Sequence, residues 1–243
     1  MPREVGVIIV AAGQGARLAG AVPKQYQEIA GVPMLLRSLR PFTAHPDVAH
    51  TVVALPAADA MRPPAWLAEL LGGTLSVVAG GAERNDSVAY ALATLPGACT
   101  TVLVHDGARP LVDRAIIDAV IAAARSGEGA VPAIPLGDTL KEVETAPEEP
   151  TGQTRPVRVA RTVSRERLYR AQTPQGFPRA VLEEAHARAR HEGIPVTDDA
   201  MLVERLGVPV RLVPGSVLNF KVTTEEDLRI AELIVRGMMG ATD

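Results

Sequence analysis

Apolar, β-branched runs alternate with helix-like stretches through the first 135 residues, and this rhythm restricts the possible folds more than any other feature. The runs are apolar on both faces, as strands covered on both sides of a parallel sheet are. They lie at Val5–Val10, Thr51–Leu55, Leu75–Val78, Thr101–His105 and Ala130–Ile134. The stretches between them repeat apolar residues at helical spacing and lie at Pro33–Ala44, Glu83–Leu95 and Asp113–Ala124. The pattern predicts an α/β fold: a doubly wound, mostly parallel sheet flanked by helices, with a Rossmann-like arrangement.

The rhythm stops after Pro135. Between residues 136 and 163, two short alternating segments, Thr139–Val143 and Val157–Val163, flank a tip rich in Pro, Glu, Thr and Gly. They predict a protruding β-arm that is too thin to be stable alone. We therefore expect it to pair with a second copy of the chain, the alternative being a surface loop.

The remainder of the chain predicts two or three helices, with candidates at Pro178–His191, Thr197–Leu206 and Thr224–Met238 and with Thr197 as an N-cap. A strand is expected at Val210–Val213. The expected organisation is a single domain over residues 1–243, with the arm at 136–163 inside it.

Charge and cysteine content exclude several classes of protein. The chain has 25 basic and 28 acidic side chains and a formal net charge of −3, whereas a dedicated nucleic-acid binder normally has a basic excess. The single cysteine, Cys99, excludes a disulfide framework and a Cys-ligated zinc site. The first residues, MPREVGVIIVAAG, match neither a signal peptide nor a membrane span. We expect a cytoplasmic protein that binds neither nucleic acid nor membranes.

The first predicted strand runs into a small-residue loop, VIIVAAGQGARL, at residues 7–18. Small residues let backbone N–H groups approach an anion closely, and polyphosphate is the obvious candidate. The loop lacks the third glycine of the dinucleotide fingerprint, and no GK[ST] of a P-loop follows. Two cations, Arg17 and Lys24, lie close to its glycines, Gly13 and Gly15, which favours triphosphate binding over a purely structural turn.

Two more charged residues stand in informative places. Asp106 ends the fourth predicted strand, at the carboxyl edge of the sheet where ligands bind in such folds; alternatively it is a turn or capping aspartate. Lys221 is a lone charge in an apolar run at 217–222, and such a charge needs an anionic partner. We expect His105 to be structural.

The glycine loop (with VPKQY at 22–26) is followed by seven motifs: GGAERNDSV (80–88), VHDGARP (104–110), DTLK (138–141), TVSRERLY (162–169), QTPQGF (172–177), TDD (197–199) and NFKVT (219–223). In this order they resemble the 2-C-methyl-D-erythritol 4-phosphate cytidylyltransferase family of the non-mevalonate isoprenoid pathway. The resemblance covers nearly the whole chain and implies a nucleotidyltransferase fold.

The resemblance implies that a phosphate oxygen of methylerythritol phosphate attacks the α-phosphorus of CTP. Pyrophosphate leaves and 4-diphosphocytidyl-2-C-methyl-D-erythritol forms. Such a displacement depends on positioning and charge neutralisation. The family also implies a homodimer joined through the β-arm, and a Mg²⁺ ion held by Asp106.

The resemblance further implies roles for individual residues. The catalytic cations are Arg17, Lys24, Arg165 and Lys221, with Arg165 supplied to the neighbouring subunit. The nucleotide-binding set adds Ala11, Ala12, Gly13, Gly15, Gly80, Gly81, Ala82, Ser87, Asp106 and Gly107. The second substrate contacts Asp106, Arg109, Thr139, Arg165, Thr173 and Lys221.

Four qualifications accompany these roles. Many relatives carry an acidic residue in place of Ala82, so only a backbone contact is expected there. Ser87 is alternatively a helix-start residue, and Arg109 alternatively forms a salt bridge beneath its loop. The arm tip is longer than is usual in the family, which affects the register of Arg165.

Two other functions stay open at this stage. One is a cytidylyltransferase for another polyol phosphate, such as ribitol 5-phosphate. The other is a non-catalytic nucleotide-sensing module, which would bind CTP without releasing pyrophosphate.

Overall fold

The computed structural model describes residues 3–13, 22–144, 158–193 and 196–240. Within these ranges the chain forms twelve β-strands. In chain order, β1 to β12 are Val5–Val10, Glu28–Ile29, Val32–Pro33, Val48–Leu55, Leu75–Ala79, Thr101–Asp106, Gly129–Pro135, Leu140–Val143, Val159–Val163, Tyr169–Ala171, Gln175–Pro178 and Val210–Pro214.

Eight of these strands form one mostly parallel sheet. Strand β1 lies at its centre and pairs in parallel with β4 and β6, and β5 continues in parallel beyond β4. On the other side, β11 is antiparallel to β6 and meets β7, which pairs in parallel with β12 and antiparallel with β10. The prediction of a doubly wound, mostly parallel sheet is confirmed.

Eight α-helices, α1 to α8, accompany the sheet in the described ranges: Met34–Thr43, Ala57–Met61, Ala65–Ala68, Arg84–Thr94, Arg114–Arg125, Arg179–Glu192, Asp199–Arg205 and Glu225–Gly240. Side chains of β1 alternate between two cores, as the pleat of a strand requires. Val7 and Ile9 pack with α1 and α5, whereas Ile8 packs with α4, α6 and α7. Burial on both faces explains why the central strands are apolar throughout.

Two small sheets stand outside the main one. β2 and β3 form a hairpin near α1, and β8 and β9 pair antiparallel with Leu140 opposite Val163. The second ribbon coincides with the flanks of the predicted arm, whose tip at 145–157 lies outside the described residues. A dimerising arm stays a prediction.

Local details differ from the sequence-based expectations at the start of α7 and in the strands β10 and β11. Thr197 is not the N-cap of α7: the carboxylate of Asp198 accepts the N–H of Met201 at 3.0 Å, because the helix begins one residue later. β10 and β11 were not predicted, because each is short and Gly176 and Pro178 weaken the strand signal of β11. Within the described ranges, no helix is long and apolar enough to cross a membrane.

Candidate active site

The carboxyl ends of β1 and β6 border a cavity of about 300 Å³. Small residues that follow parallel strands form part of its wall: Ala11 and Gly13 after β1, Ala82 after β5, and Gly107 after β6. Such residues leave backbone groups accessible to a ligand. The polar side chains predicted from sequence that line the same cavity are Lys24, Ser87, Asp106 and Lys221.

Close backbone packing explains the glycines at this edge. The N–H of Gly107 donates to the carbonyl of Val10 at 2.9 Å, and a Cβ on Gly107 would lie 3.2 Å from the Cβ of Ala11. A Cβ on Gly80 would lie 2.8 Å from Ser87 Oγ and would overlap the Cβ of Ala12. The loops after β1, β5 and β6 therefore meet without room for larger residues.

The hydroxyl of Ser87 holds the loop between β5 and α4 in shape. It accepts the N–H of Gly81 at 3.1 Å and donates to the carbonyl of Glu83 at 3.1 Å. Ser87 lies in the first turns of α4 and is buried, yet it borders the cavity. Its position fits both interpretations drawn from sequence, because its bonds shape a loop that faces the ligand space.

Three cations surround the carboxylate of Asp106. Lys221 Nζ lies 3.0 Å from Oδ2, Arg84 Nε lies 3.5 Å from Oδ1, and Arg109 Nε lies 3.6 Å from Oδ2. Burial alone would raise the pKa of Asp106, but the charges of Lys221, Arg84 and Arg109 outweigh it and hold that pKa far below its usual range. Asp106 is therefore an anion throughout the physiological range, in a setting rich in positive charge.

Buried groups on the side of Asp106 away from the cavity hold its backbone in place. The hydroxyl of Thr173 accepts the N–H of Asp106 at 3.0 Å and lies 3.1 Å from Nδ1 of His105. Burial lowers the pKa of His105 to about 4, so its ring is neutral, which fits the structural role expected for it. Arg109 donates to the carbonyl of Asn219 at 2.8 Å. Neither Thr173 nor Arg109 is part of the cavity wall, and Arg109 makes the salt bridge given above as its alternative.

Lys221 follows a segment tied to the same edge. The N–H of Val222 donates to the carbonyl of Ala108 at 2.8 Å, and the buried Asn219 side chain donates to the carbonyl of Thr173 at 2.9 Å. The Lys221 side chain is itself 43% exposed. Its backbone is fixed, and its ammonium group has access to the cavity.

Lys24 reaches the cavity from a 3-10 turn at Lys24–Tyr26. The hydroxyl of Tyr26 donates to Asp59 at 2.7 Å, and its ring meets Trp66 edge-on with a centroid separation of 6.3 Å. The turn is therefore anchored to α2 and α3.

A family model matches residues 5–237, and its description is IspD: 2-C-methyl-D-erythritol 4-phosphate cytidylyltransferase. The chain belongs to this family.

Curated relatives in the cytidylyltransferase family match most of the chain. A 2-C-methyl-D-erythritol 4-phosphate cytidylyltransferase of Salinibacter ruber is 43% identical, with 95% of this chain and 92% of the relative covered. One of Frankia casuarinae is 46% identical, covering 96% of this chain and 81% of the relative. A solved cytidylyltransferase structure from Thermus thermophilus superposes with a TM-score of 0.76 at 39% identity, covering 96% and 99% of the two chains. The family model, the curated relatives and the solved structure therefore all give the same fold, enzyme class and family.

Arg84 is the main residue of this cavity that the sequence did not lead us to expect. It lines the cavity and bridges Asp106 to Asp199, whose Oδ2 lies 2.7 Å from Arg84 Nη1. A cation next to the Gly80–Gly81 pair was the available signal, but its carboxylate partners are distant in sequence.

Other predicted residues lie elsewhere or outside the described ranges. Thr139 and Arg165 are exposed beside the β8–β9 ribbon and do not line the cavity of their own chain. Gly15 and Arg17 fall at 14–21, which the structure does not describe. The roles suggested for these four residues stay predictions.

Proposed function

We propose that this chain transfers the cytidylyl group of CTP to 2-C-methyl-D-erythritol 4-phosphate, with its reaction centre at the cavity beside Asp106. A phosphate oxygen of the second substrate attacks the α-phosphorus, pyrophosphate leaves, and 4-diphosphocytidyl-2-C-methyl-D-erythritol forms. The observation that carries this proposal is a cavity with cations around one ionised carboxylate, in a chain that matches the family model from residue 5 to residue 237.

The nucleotide occupies the loops that meet at the sheet edge. Its base lies against the backbone of Gly80, Gly81 and Ala82, in the loop shaped by Ser87. The sugar and phosphates lie along Ala11, Ala12 and Gly13, with Gly107 beside them. Support comes from the small residues Ala11, Gly13, Ala82 and Gly107 in the cavity wall, which leave room for a ligand close to the backbone.

Cations supply the catalytic electrostatics. Lys24 and Arg17 bind the triphosphate, and Lys221 orients the attacking phosphate near the α-phosphorus. Arginine offers a bidentate fork and lysine a mobile point charge. The partial exposure of Lys221 allows its ammonium group to exchange Asp106 for a phosphate oxygen. Such preorganised charge is commonly the largest contribution to this type of catalysis.

Asp106 fits a magnesium site in which the protein supplies a single carboxylate. It is ionised and borders the cavity, and Mg²⁺ commonly takes one or two carboxylates together with phosphate and water oxygens. Among the described residues, no cluster of three His, Cys, Asp or Glu side chains could hold a metal alone. We propose Asp106 as the protein ligand of Mg²⁺, which when bound neutralises phosphate charge.

The second substrate and the dimer are linked in this proposal. Thr139 and Arg165 act at the site of a neighbouring subunit, with the β8–β9 ribbon as the contact. Val143 and Val159 pair across this ribbon and are 47% and 54% exposed, so a second chain would bury apolar surface there. Thr173 and Arg109 serve the substrate through Asp106, which both contact. Because CTP is a cytoplasmic metabolite, we place the reaction in the cytoplasm.

Pyrophosphate release tests the proposed function. The chain is incubated with CTP and Mg²⁺ and with either methylerythritol phosphate or ribitol 5-phosphate. We expect release only with methylerythritol phosphate. Release with ribitol 5-phosphate alone would assign the other substrate, and CTP binding without release in either arm would identify a nucleotide sensor.

A further inference from the structure

Arg84 has a carboxylate partner that the mechanism above does not use. Asp199, the first residue of α7, is fully buried, and its Oδ2 accepts a hydrogen bond from Arg84 Nη1 at 2.7 Å. The two residues are 115 positions apart in sequence. Arg84 thus joins the amino end of α4 to that of α7 while its Nε faces Asp106.

His186 of α6 binds the other oxygen of Asp199. Its Nε2 lies 3.0 Å from Oδ1, and its side chain is 4% exposed. Because an ionised carboxylate only accepts hydrogen bonds, Nε2 must carry the hydrogen. Burial favours the neutral acid, yet Arg84 and His186 hold the pKa of Asp199 below its usual value. Both oxygens are therefore committed, one to each partner.

Stability alone does not explain this arrangement of buried charges. Buried ion pairs lose hydration, and well-packed apolar residues of similar volume are commonly as stable. Three cations face the single carboxylate of Asp106, and Asp199 adds a second negative charge to this cluster by pairing with Arg84. Arg84 has five N–H groups in a rigid fork, and its bonds to Asp199 and Asp106 leave further N–H groups for a ligand in the cavity it lines.

We propose that Asp199 and His186 are positioning residues for the transfer reaction, in which His186 orients the Asp199 carboxylate and Asp199 holds the Arg84 guanidinium at the nucleotide cavity. This inference rests on the proposed function, namely that the cavity binds CTP. Without the His186 donor, Asp199 can rotate, and Arg84 loses its fixed orientation.

Paired histidine variants test the inference. His186→Leu removes the donor to Asp199, and His186→Gln keeps an N–H close to the position of Nε2. His45 provides the matched control, because it is also buried and its Nε2 lies 2.8 Å from Asp118 Oδ1, outside the cavity wall. CTP affinity in the presence of Mg²⁺ is measured by calorimetry for wild type, both His186 variants and His45→Leu, together with kcat, KM and melting temperature.

We expect His186→Leu to weaken CTP binding about tenfold, the size of one lost charge-assisted hydrogen bond, with a smaller change in kcat. His186→Gln should recover most of the affinity, and His45→Leu should lower the melting temperature but bind CTP like wild type. If His186→Leu fails to fold, His186→Asn replaces it, because its shorter amide cannot reach Asp199.

CTP affinity in His186→Leu within twofold of wild type would overturn the inference, as would equal losses in His186→Leu and His45→Leu. Failure of His186→Gln to recover affinity would also contradict it. A wild-type chain that neither binds CTP nor releases pyrophosphate would instead overturn the proposed function, and this inference with it.

Discussion

Replacing Lys221 with alanine is expected to reduce kcat by about 100- to 1,000-fold, the cost of removing one preorganised group that stabilises transition-state charge. The folded state should be almost unaffected. The ion pair between Lys221 and Asp106 involves a side chain that is 43% exposed, and such pairs contribute at most about 1 kcal/mol. Asp106 would keep Arg84 and Arg109 as partners, so its charge stays compensated. The melting temperature should therefore fall by less than about 4 °C.

The assay is continuous pyrophosphate release at saturating CTP and methylerythritol phosphate, paired with calorimetric CTP binding and thermal unfolding. Arg211→Ala is the control. Arg211 lies on β12, away from the cavity, and its substitution removes an exposed ion pair with Glu128 in which the two charged groups are 2.6 Å apart. It should turn over normally. A Lys221→Ala variant that binds CTP poorly yet turns over normally at saturation would refute the role on the attacking phosphate. A large fall in melting temperature would refute the charge argument.

Three further outcomes follow from the site. Asp106→Asn removes the carboxylate that Lys221 and Arg109 face, whereas Arg84 keeps Asp199. It should destabilise the fold by about 3 kcal/mol and lower the melting temperature by about 6–12 °C in calorimetry, with activity lost; an unchanged melting temperature would contradict this. His105 has its pKa lowered to about 4, so as the pH falls from 6.5 towards 4 only the unfolded chain gains this proton, and stability should fall by up to about 1.4 kcal/mol per pH unit. Urea unfolding at pH 7.5, 6 and 5 should show a shallower slope in His105→Gln, and an equal slope would exclude His105 as the cause. Gly80→Ala should cost about 1–3 kcal/mol and raise KM for CTP, because the new Cβ meets Ser87 and Ala12; wild-type KM in this variant would show that the loop tolerates the change.

Much of the fold could be predicted because its signals are local. The strands from Val5–Val10 to Gly129–Pro135 that form the centre of the sheet are apolar on both faces, and helices with one apolar side separate them. A strand that is covered on both faces needs apolar side chains at every position, so its sequence is a continuous apolar run. β10 and β11 could not be found this way, because strands of three and four residues are held by their neighbours β6 and β7 rather than by their own composition.

The site residues also differ in whether a local sequence signal marks them. Glycines, Lys24, Asp106 and Lys221 were predictable because each stands at the end of a strand or in a motif whose chemistry is local. The contact of Thr173 with Asp106 was not, and the salt bridge of Arg109 was only one of two alternatives, because both side chains turn inward toward Asp106 and its neighbours. Exposure of a side chain depends on what packs over it, which no short motif specifies.

The alternation of strands and helices, the glycine-rich loop after the first strand and the family motifs can all be found in the sequence, since each depends on residues close together in the chain. Which charges meet depends instead on how the helices pack. Arg84, Asp199 and His186 lie on three helices and touch because α4, α6 and α7 pack on one face of the sheet. Coulomb energy falls with distance in space, not along the chain, so the partners of a buried charge become known only when the helices are in place.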